Sequence, residues 1–374
     1  MSNYCDLKKE KLKAILRLQK TKAVGDILAK KLIVATGDVR QIFKEKPATL
    51  LKVNGIGTHV TNQLFDKKNE ILAETELNYI EENNITTSYF LEDDFPKNLQ
   101  QCIDSPILIF KDGKIDLKNE RIISIVGTRN MTSYGRGFCK EFIKDIKQYN
   151  PIIVSGFAYG VDICAHKEAI KNELQTIAVL AHGFEQIYPK VHKKYINQVN
   201  ENGGFITEFW HDENPLRENF LKRNRIVAGI SQATIIIESA EKGGSLVTAD
   251  IANSYDRDVF AVPGRTTDLF SKGSNRLIKD HKAALLTSAE DVAKMLNWDL
   301  SQAKNATPKQ QQLFIELNSE EQKIYDYLLN NGKQLLDVIA LDCQIPIYKL
   351  APFLLQLEMK GVLKPLPGKL FEAI

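Results

Sequence analysis

From residue 122 to residue 262 the chain alternates short apolar runs with longer stretches of helical spacing. Six runs, 122–126, 152–155, 176–180, 205–207, 234–237 and 259–262, are β-rich, and several are nearly continuous in Ile, Val and Leu. Strands buried on both faces have this pattern. The stretches 136–148, 161–172 and 245–256 carry the helical period between them. Alternating β and α over this length predicts a doubly wound, mostly parallel α/β sheet, here placed in a domain spanning 81–300.

The flanks differ. Residues 1–80 read as short helices, and two stretches resemble each other: "KAVGDILAKKLI" (22–33) and "NGIGTHVTNQLF" (54–65). Each has a glycine turn ahead of a helix start, and the second has the G-x-G of a helix-hairpin-helix. Such a hairpin either lends backbone N–H groups to a phosphate or simply packs two helices, and both readings stand. Residues 81–120 form a mixed connector with an apolar run at 107–110, closed by the turn Asp112-Gly113. "SQAKNATPKQQQ" is polar and aperiodic, so 301–318 is expected to be a linker. A capping box, Ser319-x-x-Gln322, is expected to open the next helix. Residues 319–374 give three short helices and a final strand pair around "PLPGK", the pattern of a winged-helix module.

At 43% hydrophobic and 26% charged residues the composition is that of an ordinary globular protein. No apolar run is long enough for a membrane span, and the N-terminus is too charged for a signal peptide. Five scattered cysteines without C-x-x-C spacing argue for a reducing, cytoplasmic setting and against a zinc site. The net charge of +3 is uneven: residues 1–80 carry 15 Lys/Arg against 9 Asp/Glu, and 319–374 carry 6 against 7. The basic end points to a polyanionic partner.

Small residues follow almost every strand: "GTRNMTSYG" (127–135), "SGFAYGVDICAH" (155–166), "AHGFEQIYP" (181–189), "ESAEKGGSLVTADIA" (238–252) and "PGRTTDLFSKGSNRLI" (263–278). In a parallel sheet all of these sit at the carboxyl edge, where ligands bind. Glycine lets a phosphate approach the backbone, and helix N-termini supply N–H groups and a positive dipole end. Neither the dinucleotide fingerprint nor the NTPase P-loop is present. Arg129 stands just past a strand end, where its planar fork can grip a phosphate.

"NFLKRNRIVAGIS" (219–231) adds Lys222, Arg223 and Arg225, with Arg217 just ahead. On a helical wheel the three cations spread over roughly 160°, and Ile226 and Ile230 fall inside that arc. Either the cations pair with internal carboxylates or they face an anion. Phe220 is either a base-stacking ring or core. Arg225 is either an anion contact or the partner of Asp162, Glu208 or Glu238. As a cluster the cations favour an anion site. Catalytic groups are not evident: His166 and His182 have no visible partners, Ser155 lacks the G-x-S-x-G elbow, and the six histidines are too dispersed for a metal.

Together "IVGTRNMTSYG", "SGFAYGVDICAH", "FLKRNRIVAGIS", "EKGGSLVTADIA" and "GSNRLI" resemble the DNA-processing protein A family, also called DprA or Smf, over roughly 85–295. The resemblance implies a Rossmann-like sheet with an N-terminal helical (helix-hairpin-helix or SAM-like) domain and a C-terminal winged helix. It implies a cytoplasmic, non-enzymatic homodimer without cofactor, active in natural transformation. Such a protein binds and protects incoming single-stranded DNA and loads the RecA recombinase. The residues it implicates are Gly127, Thr128 and Arg129; Arg217, Phe220, Arg223, Asn224 and Arg225; and Lys242, Gly243, Gly244 and Ser245, to which the strand-end loop adds Ser155 and Gly156 and the cation cluster adds Lys222. Tyr159 stands where many relatives carry arginine. The rival reading is a nucleotide or nucleoside-monophosphate hydrolase, with Asp250 and Glu241 the only carboxylates near "KGGSLVTAD". The terminal module is net negative, and its last helix, expected at about 353–360, sets Lys360 against Glu358. Poor binding of duplex DNA is therefore expected there, with Leu354, Leu355, Leu357 and Met359 mainly core.

Overall fold

The computed structural model describes residues 2–298, 317–366 and 369–373. The chain divides into two compact units, 1–300 and 301–374.

The first unit is built on a nine-stranded sheet of order β1-β2-β6-β5-β4-β3-β7-β8-β9. Its strands are β1 (Thr86–Tyr89), β2 (Leu108–Gly113), β3 (Ile122–Val126), β4 (Ile152–Ser155), β5 (Thr176–Val179), β6 (Gly203–Thr207), β7 (Ala233–Ile236), β8 (Asp258–Ala261) and β9 (Ala284–Leu285). From β6 through β9 every neighbouring pair is parallel, while β2 joins β6 and β1 joins β2 antiparallel. The mostly parallel, doubly wound sheet therefore forms as the apolar runs imply. The connector contributes the two antiparallel strands at one end of the sheet, β1 on the edge and β2 between it and β6. β6 starts two residues before the apolar run because Gly203 and Gly204 pair with Thr176 and Ile177, and glycines carry no strand signal in sequence.

Both faces of the sheet are covered. Ile123, Ile125, Ile153, Ile235 and Phe260 pack under α8 (Ser133–Ile146), α9 (Val161–Lys171) and α14 (Ala289–Met295). Ile122, Val154, Ile177, Val179 and Ile206 point the other way, toward α11 (Arg217–Ile230) and α12 (Gly244–Ser254). Neighbouring strand residues thus feed opposite layers, as the pleat requires. Ser124 is polar inside this layer and is satisfied by donating to the Val227 carbonyl at 2.5 Å.

The N-terminal helices include α1 (Ser2–Lys20), α2 (Asp26–Thr36), α5 (Thr58–Leu64) and α6 (Lys67–Glu82). The two glycine stretches open α2 and α5, with Gly25 and Gly57 as N-caps. This layer is tied to the sheet by polar contacts: Gln19 donates to the Glu208 carbonyl at 3.0 Å and accepts from the Trp210 indole at 2.9 Å.

The second unit has helices Ser319–Asn331, Leu336–Asp342 and Ile347–Met359 and an antiparallel sheet of Gln334–Leu335, Leu370–Ala373 and Leu363–Leu366. Its core is Ile324, Leu328, Leu350, Leu354 and Leu357. Three details differ from the sequence reading. The capping box is Asn318 with Glu321, one residue earlier than Ser319 with Gln322: the Asn318 side chain accepts from the Glu321 N–H at 2.9 Å, and Glu321 accepts from the Asn318 N–H at 2.9 Å. The last helix begins six residues earlier than expected. Leu355 and Met359 are 57% and 81% exposed, because Leu350, Leu354 and Leu357 already fill the buried face of that helix. The segment expected to be a linker, 301–318, lies outside the described residues except for 317 and 318.

Candidate functional site

Strand order reverses between β3 and β7, and a parallel sheet opens a crevice at the carboxyl ends of the strands there. A cleft of about 740 Å³ occupies this place. It is lined from four directions: by the loop after β3, by the loop after β4 and the start of α9, by one face of α11, and by the start of α12. Twelve of the fifteen residues singled out from sequence border it: Gly127, Thr128, Arg129, Gly156, Arg217, Phe220, Arg223, Asn224, Lys242, Gly243, Gly244 and Ser245.

The walls are built by local hydrogen bonds. The Thr128 N–H donates to the Glu238 carbonyl at 2.7 Å, and the Thr128 carbonyl accepts from the Val161 N–H at 3.2 Å. This pins the loop after β3 between the end of β7 and the start of α9. A Cβ on Gly127 would come within 2.5 Å of Val161 and 2.8 Å of the Glu238 carbonyl, so only glycine fits. The Glu238 carboxylate accepts from the Thr132 N–H at 2.9 Å and so occupies the start of α8. The starts of α9, α11 and α12 are left beside the cleft, with Gly160, Leu216 and Gly243 as N-caps.

Helix α11 sorts its side chains by face. Arg217, Phe220, Leu221, Asn224 and Val227, at spacings of three and four, turn to the cleft. The Phe220 ring is half-buried and meets Tyr188 edge-on, with centroids 5.4 Å apart. The Arg129 guanidinium stands 5.5 Å from that ring, a cation–π distance. Arg223 forms the floor. It is 5% exposed, donates from Nη1 to the Gly156 carbonyl at 2.7 Å and to the Val179 carbonyl, and so straps α11 to the ends of β4 and β5. Burial pulls this guanidinium down to about 10, against the pull of Asp162. Burial likewise pushes the Asp162 carboxyl up, against the pull of Arg223. Four cationic side chains, Arg129, Arg217, Arg223 and Lys242, thus share the cleft lining with one acid, Asp162.

Three of the sequence candidates lie elsewhere. Ser155 is fully buried and donates to the Ile125 carbonyl at 2.6 Å, beneath the floor. Lys222 and Arg225 leave α11 on its opposite face. Lys222 pairs with Glu208 at 3.0 Å and stands over the Phe209 ring. Arg225 is buried between Glu208, Asp26 at 3.1 Å and the Asp104 carbonyl. Of the partners considered for Arg225, Glu208 is the one it meets, and Asp26 could not be foreseen because it lies 199 positions away. Sequence reading missed Tyr188 and Phe270 as lining residues. Both sit in strand-end loops already under suspicion, but nothing local separates them from their neighbours.

The catalytic alternatives are not assembled here. His166 and His182 are buried away from the cleft lining, bonded to Thr176 Oγ1 at 2.7 Å and the Gly183 carbonyl at 2.9 Å. Asp250 pairs with Lys282 at 2.9 Å, and neither it nor Glu241 lines the cleft. Among the described residues no cluster of three or more His, Cys, Asp or Glu is placed to hold a metal.

The structure thus sets a switch-point crevice, lined by cations, aromatic rings and three helix starts, on a Rossmann-like sheet, with a winged helix following in the chain. Comparison with known proteins gives the family. Residues 86–297 match the model for DNA recombination-mediator protein A, and 306–369 match the DprA winged helix domain. The chain belongs to the DNA recombination-mediator protein A (DprA/Smf) family. It is 36% identical over 202 residues to the DNA processing protein DprA of Streptococcus pneumoniae, covering 54% of this chain and 71% of that protein. It is 32% identical over 283 residues to the protein Smf of Escherichia coli, covering 73% and 74%. The X-ray structure of DprA from S. pneumoniae matches with TM-score 0.64 at 28% identity, over 79% of this chain and 98% of that one. DprA from Helicobacter pylori, whose structure is described for its single-stranded DNA binding mode, matches with TM-score 0.52 at 29% identity, over 57% and 95%. Among the described residues no single helix is long and apolar enough to cross a membrane.

Proposed function

We propose that the cleft binds single-stranded DNA without catalysis, and that the chain, as a cytoplasmic homodimer, protects incoming DNA and loads RecA during natural transformation. In this reading 1–80, 81–300 and 319–374 are the functional divisions, joined at 301–318. The observation that carries it is the pairing of Arg129 with Phe220 across the mouth of a cationic crevice. A guanidinium and a ring side by side offer a phosphate contact and a stacking face at once, which suits an unpaired strand and not a duplex. The single-strand binding described for the H. pylori relative supports the same assignment.

Fluorescence anisotropy of a labelled oligothymidine and a matched duplex across a salt series tests it. The single strand should bind far more tightly than the duplex. Its log affinity should fall with log salt at a slope of about −0.7 for each phosphate neutralised, so about −3 if all four cations engage. Arg129→Glu should remove most of the binding. If neither DNA binds the folded protein near physiological salt, the assignment is wrong.

A further inference from the structure

A second cleft, of about 360 Å³, adjoins the first. The two share their walls in sequence. Ala158 lines one and Tyr159 the other, and consecutive Cα atoms are about 3.8 Å apart. Tyr188 lines the first, and Val191 and His192, in the 3-10 helix Lys190–Tyr195, line the second.

The second cleft has its own aromatic platform. Tyr159 is 44% exposed, yet its ring is set edge-on against His192 at 5.1 Å. His192 meets Tyr195 at 6.0 Å in the same manner. The histidine is buried and fixed by its Nδ1 contact of 3.0 Å with the Phe157 carbonyl, so it holds the two tyrosines in place. Cations surround the platform. Lys167 and Lys194 stand 5.7 and 5.2 Å from the Tyr195 ring centroid, and Arg136 lines the opening. None of the three forms an ion pair among the described residues. Glu168 also lines the cleft, and its Oε2 is buried without a hydrogen-bond partner. That oxygen is an acceptor short of a donor, and each of the four nucleobases carries an N–H that can serve.

We propose that this cleft is a second nucleotide station for the same single strand. Resting on the assignment of the first cleft, the strand passes over residues 156–160 and lays a base against the Tyr159–Tyr195 platform. Lys167, Lys194 and Arg136 neutralise the adjoining phosphates. Stacking on rings is indifferent to base identity, so the station extends the binding site without adding sequence preference.

The test uses the full chain and a ladder of oligothymidines from the dinucleotide upward, read by anisotropy. Wild-type affinity should rise in two steps with length. Tyr159→Ala combined with Lys167→Glu should keep the first step and lose the second, weakening long oligomers about tenfold or more and lowering the salt slope by about 0.7. Tyr159→Phe keeps the ring and should bind as wild type. Lys194→Glu reports on the same station from the other wall, should the double variant be poorly folded. If long and short oligomers bind both charge-reversed variants as they bind wild type, the station does not exist. If short oligomers are weakened as much as long ones, it is not a separate station. If Arg129→Glu binds every length as wild type does, the first cleft is misassigned, and that result is distinct from either of these.

Discussion

Two arginines, Arg129 and Arg225, look alike in sequence as cations at the ligand edge, and the structure separates their tasks. Replacing Arg225 with Met should damage the fold. Its Nη2 serves both Glu208 and Asp26, and Glu208 is 4% exposed. Removing the guanidinium leaves Glu208 with Lys222 alone, whose side chain is half in solvent. One Glu208 oxygen, Oε1, already lacks a hydrogen-bond partner. Breaking a buried pair by deleting one partner costs about 3–5 kcal/mol, because the remaining charge stays desolvated. For a unit of 300 residues the unfolding entropy is about 0.6 kcal/mol/K, so the melting temperature should fall by about 5–8 °C. Arg129→Met removes an exposed side chain that carries no ion pair among the described residues, and its melting temperature should stay within about 1 °C of wild type. Binding should show the reverse. Oligothymidine affinity should drop sharply for Arg129→Met, and well below its melting temperature Arg225→Met should bind as wild type. Scanning calorimetry and anisotropy on the same preparations give both numbers. An Arg225→Met protein with unchanged melting temperature and lost DNA binding would refute this division of labour.

Phe220→Ala should weaken oligothymidine binding by about 1–3 kcal/mol with little change in salt slope, since it removes stacking and not charge; a slope change on titration would contradict this. Gly156→Val should both destabilise the protein and impair binding, because even a Cβ there would sit 2.3 Å from the Arg223 guanidinium; urea melts and anisotropy should move together. Burial lowers His166 to about 3, so the folded state keeps it neutral while the unfolded state protonates near pH 6.5. The stability it contributes is complete above pH 6.5 and is lost as pH falls toward 3, about 2 kcal/mol by pH 5. His166→Gln should lose that much less stability than wild type between pH 7 and pH 5, as read by urea denaturation. Residues 313–374 alone should not bind duplex DNA at micromolar affinity in a titration at physiological salt. Their net charge is negative, and Lys360 pairs with Glu321 at 2.6 Å.

The chain's periodicity carried the sheet, and the glycine loops marked the edge where the cleft opens. Both follow from local rules: apolar runs make buried strands, and a parallel arrangement gathers every strand-end loop on one side. The sequence therefore determined the fold class and most of the cleft-lining residues, including Arg129, Phe220 and the Lys242–Ser245 loop. Local rules could not assign the faces of α11, because its cations and isoleucines share one arc of the wheel. Only tertiary structure decided that Phe220 and Asn224 look into the cleft while Lys222 and Arg225 look away. The deciding charges, Glu208 and Asp26, come from a strand end and from an N-terminal helix. Ser155 was misjudged for a related reason: the strand register turns its hydroxyl to the Ile125 carbonyl. Burial of a cation depends on which carboxylates the fold brings to it, and that pairing is a property of the folded chain, not of any window along it.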